Sequence, residues 1–208
     1  MTSTDEATVF IIDDDVGMRA AMQRLLKSVG LHAESFATPQ EFFRRKRQDV
    51  LSCLVLDVRL PGMSGLDVQR TLIESGFQIP VIFITGHGDI PMTVKAMKLG
   101  AVEFLTKPFR DQEFVDAIQQ ALERASETLL QQHEVQTLKD RYATLTARER
   151  EVMGLLVSGM LTKQIASRLG TSEVTAQVHR GHAMSKMRAN SPAELGRIAE
   201  KLKLPPVN

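Results

Sequence analysis

The chain has 208 residues, 43% of them apolar and 25% charged, with a formal net charge of +1. That length suits two domains of roughly 150 residues or fewer, and the composition excludes disordered and fibrous classes. A single cysteine excludes an intrachain disulfide, no run reaches the roughly 18 apolar residues of a membrane helix, and the first residues lack a signal-peptide pattern. A cytoplasmic protein without a membrane partner is therefore expected.

Strand-like runs lie at Val9 to Ile12, Ala33 to Phe36, Leu51 to Leu56, Pro80 to Ile84 and Ala101 to Leu105. Each precedes a stretch of helical period, from Met18-Met22-Leu25-Leu26-Val29 to Phe114-Val115-Ile118-Leu122. Five such pairs predict an α/β fold, a doubly wound five-stranded parallel sheet covered on both faces. Thr38-Pro39-Gln40-Glu41 is a capping box with proline at the first helical position, and Ser64, Asp89 and Asp111 are further cap candidates. From Asp111 the helical pattern runs past residue 135. Its outer half is polar, Gln-rich and free of Gly and Pro, which predicts a helical linker.

The remaining segments are all helical. Thr146-Ala147-Arg148-Glu149 forms a capping box before Val152-Met153-Leu155-Leu156, and Gly159 closes that helix. Thr162 to Leu169 is a short helix stopped by Gly170, Ser172 to Met187 a longer one, and Ser191-Pro192-Ala193-Glu194 a third box opening a helix to about Lys203. Lys and Arg number 14 against 17 Asp and Glu over residues 1–124, and 10 against 5 from residue 144 onward. A basic tail after an acidic front half points to two modules with different partners.

In a doubly wound sheet, functional groups gather at the carboxyl ends of the strands. Here those ends carry Asp13-Asp14-Asp15, Asp57, Thr85-Gly86-His87-Gly88 and Thr106-Lys107-Pro108. Carboxylates from two strands at one edge repel unless a cation holds them, and oxygen-only donors suit Mg²⁺. A lysine from the next strand could neutralise a phosphoryl group there, and a threonine hydroxyl could bond to it. Singly, each piece has an ordinary reading: first-turn acids, a turn aspartate, a strand stop. A phosphohydrolase with an aspartyl nucleophile would want an acid two residues after it, and position 59 is arginine.

Residues 7 to 124 resemble a receiver domain of bacterial two-component response regulators, through Asp13-Asp14, Asp57, Leu60-Pro61-Gly62-Met63-Ser64-Gly65, Thr85 and Lys107-Pro108. The resemblance implies that Asp57 accepts a phosphoryl group from a sensor histidine kinase. Mg²⁺ would be held by Asp14, Asp57, the Arg59 backbone carbonyl and, through water, Asp13. Lys107 would contact the phosphoryl oxygens, Thr85 would swing toward them, and Phe104 would be the switch aromatic.

A helix, a tight glycine turn and a second helix make a helix-turn-helix pattern. Ile165, Ala166, Leu169, Val174, Val178 and Met184 repeat at helical spacing and predict a core face; Lys163, Gln177, Arg180, Gly181, Lys186 and Arg188 predict an outward one. Residues 144 to 204 resemble a LuxR/FixJ-type output domain through Leu145-Thr146, Arg148-Glu149, Gly159, Thr162 to Ala166, Leu169-Gly170, Thr175 and His179-Arg180. That likeness implies base-facing positions at Thr175, Gln177, Val178 and Gly181, and phosphate contacts at Lys163, His179, Arg180 and Lys186. Thr162 stands where Asn is usual, and Ala176, Gln177 and Gly181 replace bulkier or basic residues.

The expected organisation is a receiver over 1–124, a helical linker over 125–143 and a four-helix all-α helix-turn-helix domain over 144–208. Both likenesses place the chain with FixJ/NarL-type regulators, its pattern most like the styrene-catabolism (StyR-like) branch. They imply double-stranded DNA, RNA polymerase and a phosphorylation-dependent second copy as partners, with transcription, such as activation of a catabolic operon, as the output. Cys53 reads as a buried inert thiol, His179 and His182 as a pair without further metal ligands, and Arg44 to Arg47 as a solvated helix end.

Overall fold

The runs at Val9 to Ile12, Leu51 to Leu56 and Pro80 to Ile84 become strands buried on both faces, and those at Ala33 to Phe36 and Ala101 to Leu105 half-buried ones, in the computed structural model, which describes residues 7–45, 50–86 and 90–205. In the first unit, Met1–Leu129, the order is β1 (Thr8–Ile12), α1 (Val16–Ser28), β2 (His32–Phe36), α2 (Pro39–Arg44), β3 (Ser52–Asp57), α3 (Gly65–Glu74), β4 (Val81–Thr85), α4 (Ile90–Lys98), β5 (Glu103–Thr106) and α5 (Asp111–Ala143). All pairs are parallel and the sheet order is β2-β1-β3-β4-β5. The reversal of winding between β1 and β3 creates the crevice where such sheets place their sites.

Alternation along the strands divides the core into two layers. Val9, Ile11, Cys53, Val55, Ile82 and Ile84 pack with Met22 and Leu26 of α1 and Phe114 and Ile118 of α5. Phe10, Ile12, Leu54, Leu56 and Phe83 pack with Phe42, Val68, Leu72 and Ala96 on the other side. Each such side chain contributes about 1.5–3 kcal/mol on burial. Cys53 has no exposed surface, and burial pushes its thiol up to about 12.

The second unit, Leu130–Asn208, holds α6 (Ala147–Val157), α7 (Thr162–Arg168), α8 (Glu173–Met187) and α9 (Pro192–Lys201). Residues 125–143, read as a linker, belong to α5, whose last turns give Leu138 and Tyr142 to this unit's core. The final helix stops at Lys201, two residues earlier than expected.

Of the three expected capping boxes, the one at Thr146 and Glu149 closes fully. Thr38 and Ser191 do cap their helices, but Glu41 and Glu194 accept from the Ala37 and Asn190 amides, one residue earlier. Ser64 caps α3. Asp111 is the first helical residue of α5 rather than its cap, and Asp89 lies outside the described residues. Arg45 departs from the solvated reading: it donates to Glu34 at 2.9 Å and lies 4.0 Å over the Phe10 ring. Lys46 and Arg47 lie outside the described residues. Among the described residues no helix is long and apolar enough to cross a membrane.

Candidate functional site

The three acids after β1 have three different tasks. Asp15 caps α1, its carboxylate accepting from the Met18 amide at 3.0 Å. Asp14 is exposed, and Asp13 is fully buried, its Oδ1 accepting from the Asp15 amide at 2.8 Å. Arg19 reaches back to the Asp13 carbonyl at 2.7 Å, a link the sequence reading did not find.

Asp57 ends β3 beside them. Its Oδ1 accepts from the Arg59 amide at 2.8 Å. The turn after it is tight: a Cβ on Gly65 would stand 2.4 Å from the Asp57 carbonyl oxygen, so only glycine lets α3 start so close. Lys107 joins the two strands, its Nζ donating to Asp13 Oδ2 at 2.7 Å and to Asp57 Oδ2 at 2.6 Å. Its backbone amide is anchored to the Thr85 carbonyl at 2.7 Å.

Burial pushes the Asp13 carboxyl above its usual range, against the Lys107 hydrogen bond. Burial also opposes the Lys107 ammonium, but its hydrogen bonds to Asp13 and Asp57 outweigh that and raise its pKa. The cluster sets three carboxylates against one ammonium, so it attracts a further cation. Ligand oxygens of Asp13, Asp14 and Asp57 lie within 4.8 Å of one another. Thr85, ending β4, is fully buried, and Phe104 on β5 is half-buried with its ring 6.3 Å from that of Phe83.

In the second unit, α8 packs on α6 and α7. Its buried side chains are Ala176, Ala183 and Met187, at i, i+7 and i+11. Val174 and Val178, expected in the core, are 75% and 48% exposed. The core seam of this helix consists largely of alanine, which leaves the valines on the opposite side.

Lys163, Thr175, Gln177, Val178 and Gly181 are all exposed. The Thr175 hydroxyl is 2.8 Å from that of Ser172, the cap of α8. His179 is half-buried with Nδ1 enclosed and without a partner. Arg180 is half-buried and donates to Thr162 Oγ1 at 3.0 Å, tying α8 to α7. That contact gives a purpose to the threonine found where asparagine is usual.

Lys186, which the LuxR-type likeness implies as a phosphate contact, also has a partner within its own unit. Its Nζ donates to Glu149 Oε2 at 2.6 Å and to the Thr144 carbonyl at 3.2 Å. Glu149, with a side chain 4% exposed, is held at about 2 by that lysine and by the Thr146 amide. The ammonium joins α8 to the start of α6, while the Lys186 side chain stays 36% exposed. Such a pair across 37 residues is invisible to spacing arguments.

Comparison with known proteins agrees with this two-part reading. Residues 9–119 match the family "Response regulator receiver domain". Residues 143–199 match "Bacterial regulatory proteins, luxR family". Nodulation protein W of Bradyrhizobium diazoefficiens is 50% identical over 96% of this chain and 88% of its own. Transcriptional regulatory protein FixJ of the same organism is 38% identical over 94% and 96%. The solved structure of response regulator StyR is 44% identical, with a TM-score of 0.82 over 94% of this chain and 99% of that one.

Proposed function

Because the chain belongs to the response regulators that join a receiver domain to a LuxR-type DNA-binding domain, we propose that Asp57 is its phosphoacceptor, loaded by a sensor histidine kinase. The observation that carries this is the convergence of Asp13 and Asp57, from adjacent strands, on one Lys107 ammonium. A phosphoryl group added to Asp57 brings extra negative charge, and Lys107 is already positioned to meet it. Asp57 forms the new P–O bond as the donor's bond to phosphorus breaks.

The donors fit a hard divalent cation: all are oxygens, they lie within 4.8 Å of one another, and Asp14 is open to water. Asp13, Asp14, Asp57 and the Arg59 carbonyl would hold Mg²⁺, which supplies positive charge beside the transferring group. Residues 1–124 then act as the receiver and 144–208 as the output domain, joined through 125–143 of α5. Thr85 moves toward the phosphoryl oxygens, and Phe104 turns into the space this leaves. The surface of α4, β5 and α5 changes with it; Ile90, Val94 and Met97 of α4 are exposed apolar residues on which a second copy can pair. Pairing brings two output domains to one duplex, and Lys163, His179 and Arg180 hold its phosphates while Gln177 and Val178 face bases. A coupling of about 5–150-fold in DNA affinity is the expected size, and RNA polymerase at a catabolic promoter is the expected recipient.

Incubation with acetyl phosphate and Mg²⁺ should add one phosphoryl group by intact mass. Asp57→Ala should take up none, and EDTA should suppress uptake by the wild type. A fully labelled Asp57→Ala variant would overturn the assignment.

A further inference from the structure

The outward side of α8 has a composition that neither packing nor helix propensity explains. Val174, Gln177, Val178 and Gly181 follow one another at i, i+3, i+4 and i+7, so they form one stripe. All four are exposed, and the stripe lies about 150° around the helix from the buried Ala176, Ala183 and Met187. Val174 is the most exposed apolar side chain of α8, at 75%. Valine is a weaker helix former than alanine, and an exposed valine contributes little to the fold. Glycine costs the helix interior more, and a Cβ on Gly181 would meet nothing within 4 Å, so the fold does not require it.

We propose that Val174 and Val178 read thymine 5-methyl groups in the major groove, Gly181 admitting the helix backbone close to the base edges. The assignment rests on the DNA-binding reading above. Three features favour thymine. Val174 stands two residues after the cap Ser172, and the N-terminal turn of a recognition helix is the part that meets base edges. The thymine methyl is the apolar group a major groove displays, and β-branched methyls complement it. Gln177, between the valines on the stripe, has the amide that pairs with the N6 and N7 edge of adenine. Val174 is thus a specificity-determining residue, and the element read is an A·T step.

The full-length protein, with Mg²⁺ and beryllofluoride, is used to select duplexes from a random-sequence library. The selected duplex is then remade with deoxyuridine at one thymine at a time, which removes only the 5-methyl group. Affinity should fall about fourfold at one thymine for each valine, the value of one buried methylene-sized group. Val174→Ala should bind the thymine and uracil duplexes equally at its position, and Val178→Ala at the other. Both side chains are exposed, so the variants should melt as the wild type does. Selected DNA that tolerates uracil at every position would overturn this inference alone, as would a uracil penalty persisting in both variants. Selection of no DNA would overturn the DNA-binding reading with it.

Discussion

Lys186→Met removes one charge while retaining the length of the side chain. It leaves the Glu149 carboxylate, 4% exposed, with the Thr146 amide at 2.8 Å and His182 Nδ1 at 3.6 Å. Losing a hydrogen bond between charged groups costs about 1.5–3 kcal/mol, and the Glu149 side chain, 4% exposed, leaves little room for water to make it good. A central loss of about 2 kcal/mol lowers Tm by about 8–16 °C for a domain of this size. The assay is unusually clean. The chain has one tyrosine and no tryptophan, and Tyr142 packs against the core of the second unit, so tyrosine fluorescence follows that unit within the full-length protein. Glu149→Gln combined with Lys186→Met should recover part of the loss, since no unpaired charge then remains. The same pair predicts an acid dependence. Glu149 is held at about 2 against an ordinary 4.5, so its contribution is complete above about 4.5 and disappears as pH falls toward 2; the variant, which keeps the Thr146 amide, should show a shallower slope. A Lys186→Met protein that melts as wild type but loses DNA affinity would refute the reasoning and return Lys186 to the phosphate contacts.

Gly65→Ala would place a Cβ 2.4 Å from the Asp57 carbonyl oxygen; urea titration should show a loss of about 1–3 kcal/mol, together with slower uptake from acetyl phosphate, because strand end and helix start must separate. Gly181→Ala should stabilise the second unit by about 0.5–1 kcal/mol in the tyrosine-detected melt and weaken DNA binding in the same protein; stabilisation without weaker binding would mean the helix backbone never approaches the bases closely. Thr85→Ala should still accept a phosphoryl group, yet fail to dimerise with beryllofluoride in sedimentation measurements. A variant that dimerises as wild type would remove Thr85 from the switch.

Local chemistry made much of the molecule legible in the residues alone. Strands two-sided in their burial appear as unbroken apolar runs, and Thr38, Ser64, Thr146 and Ser191 mark helix starts because a hydroxyl before an amide-rich first turn is a local interaction. Asp13, Asp57 and Lys107 were legible for a topological reason, since a parallel sheet brings its strand ends to one edge whatever the loops do. Contacts across tens of residues were decided by tertiary structure. Spacing put Val174 and Val178 in the core, but helical period tells only which residues share a side, and contact with α6 and α7 selected the alanine side for burial. Arg45 left a basic run to cover Phe10, and Lys186 left the outward face to neutralise Glu149. In each case a long side chain could serve solvent or a partner equally well by composition. Its partner lay 35 to 37 residues away, and only the packed fold set which electrostatic demand came within its reach.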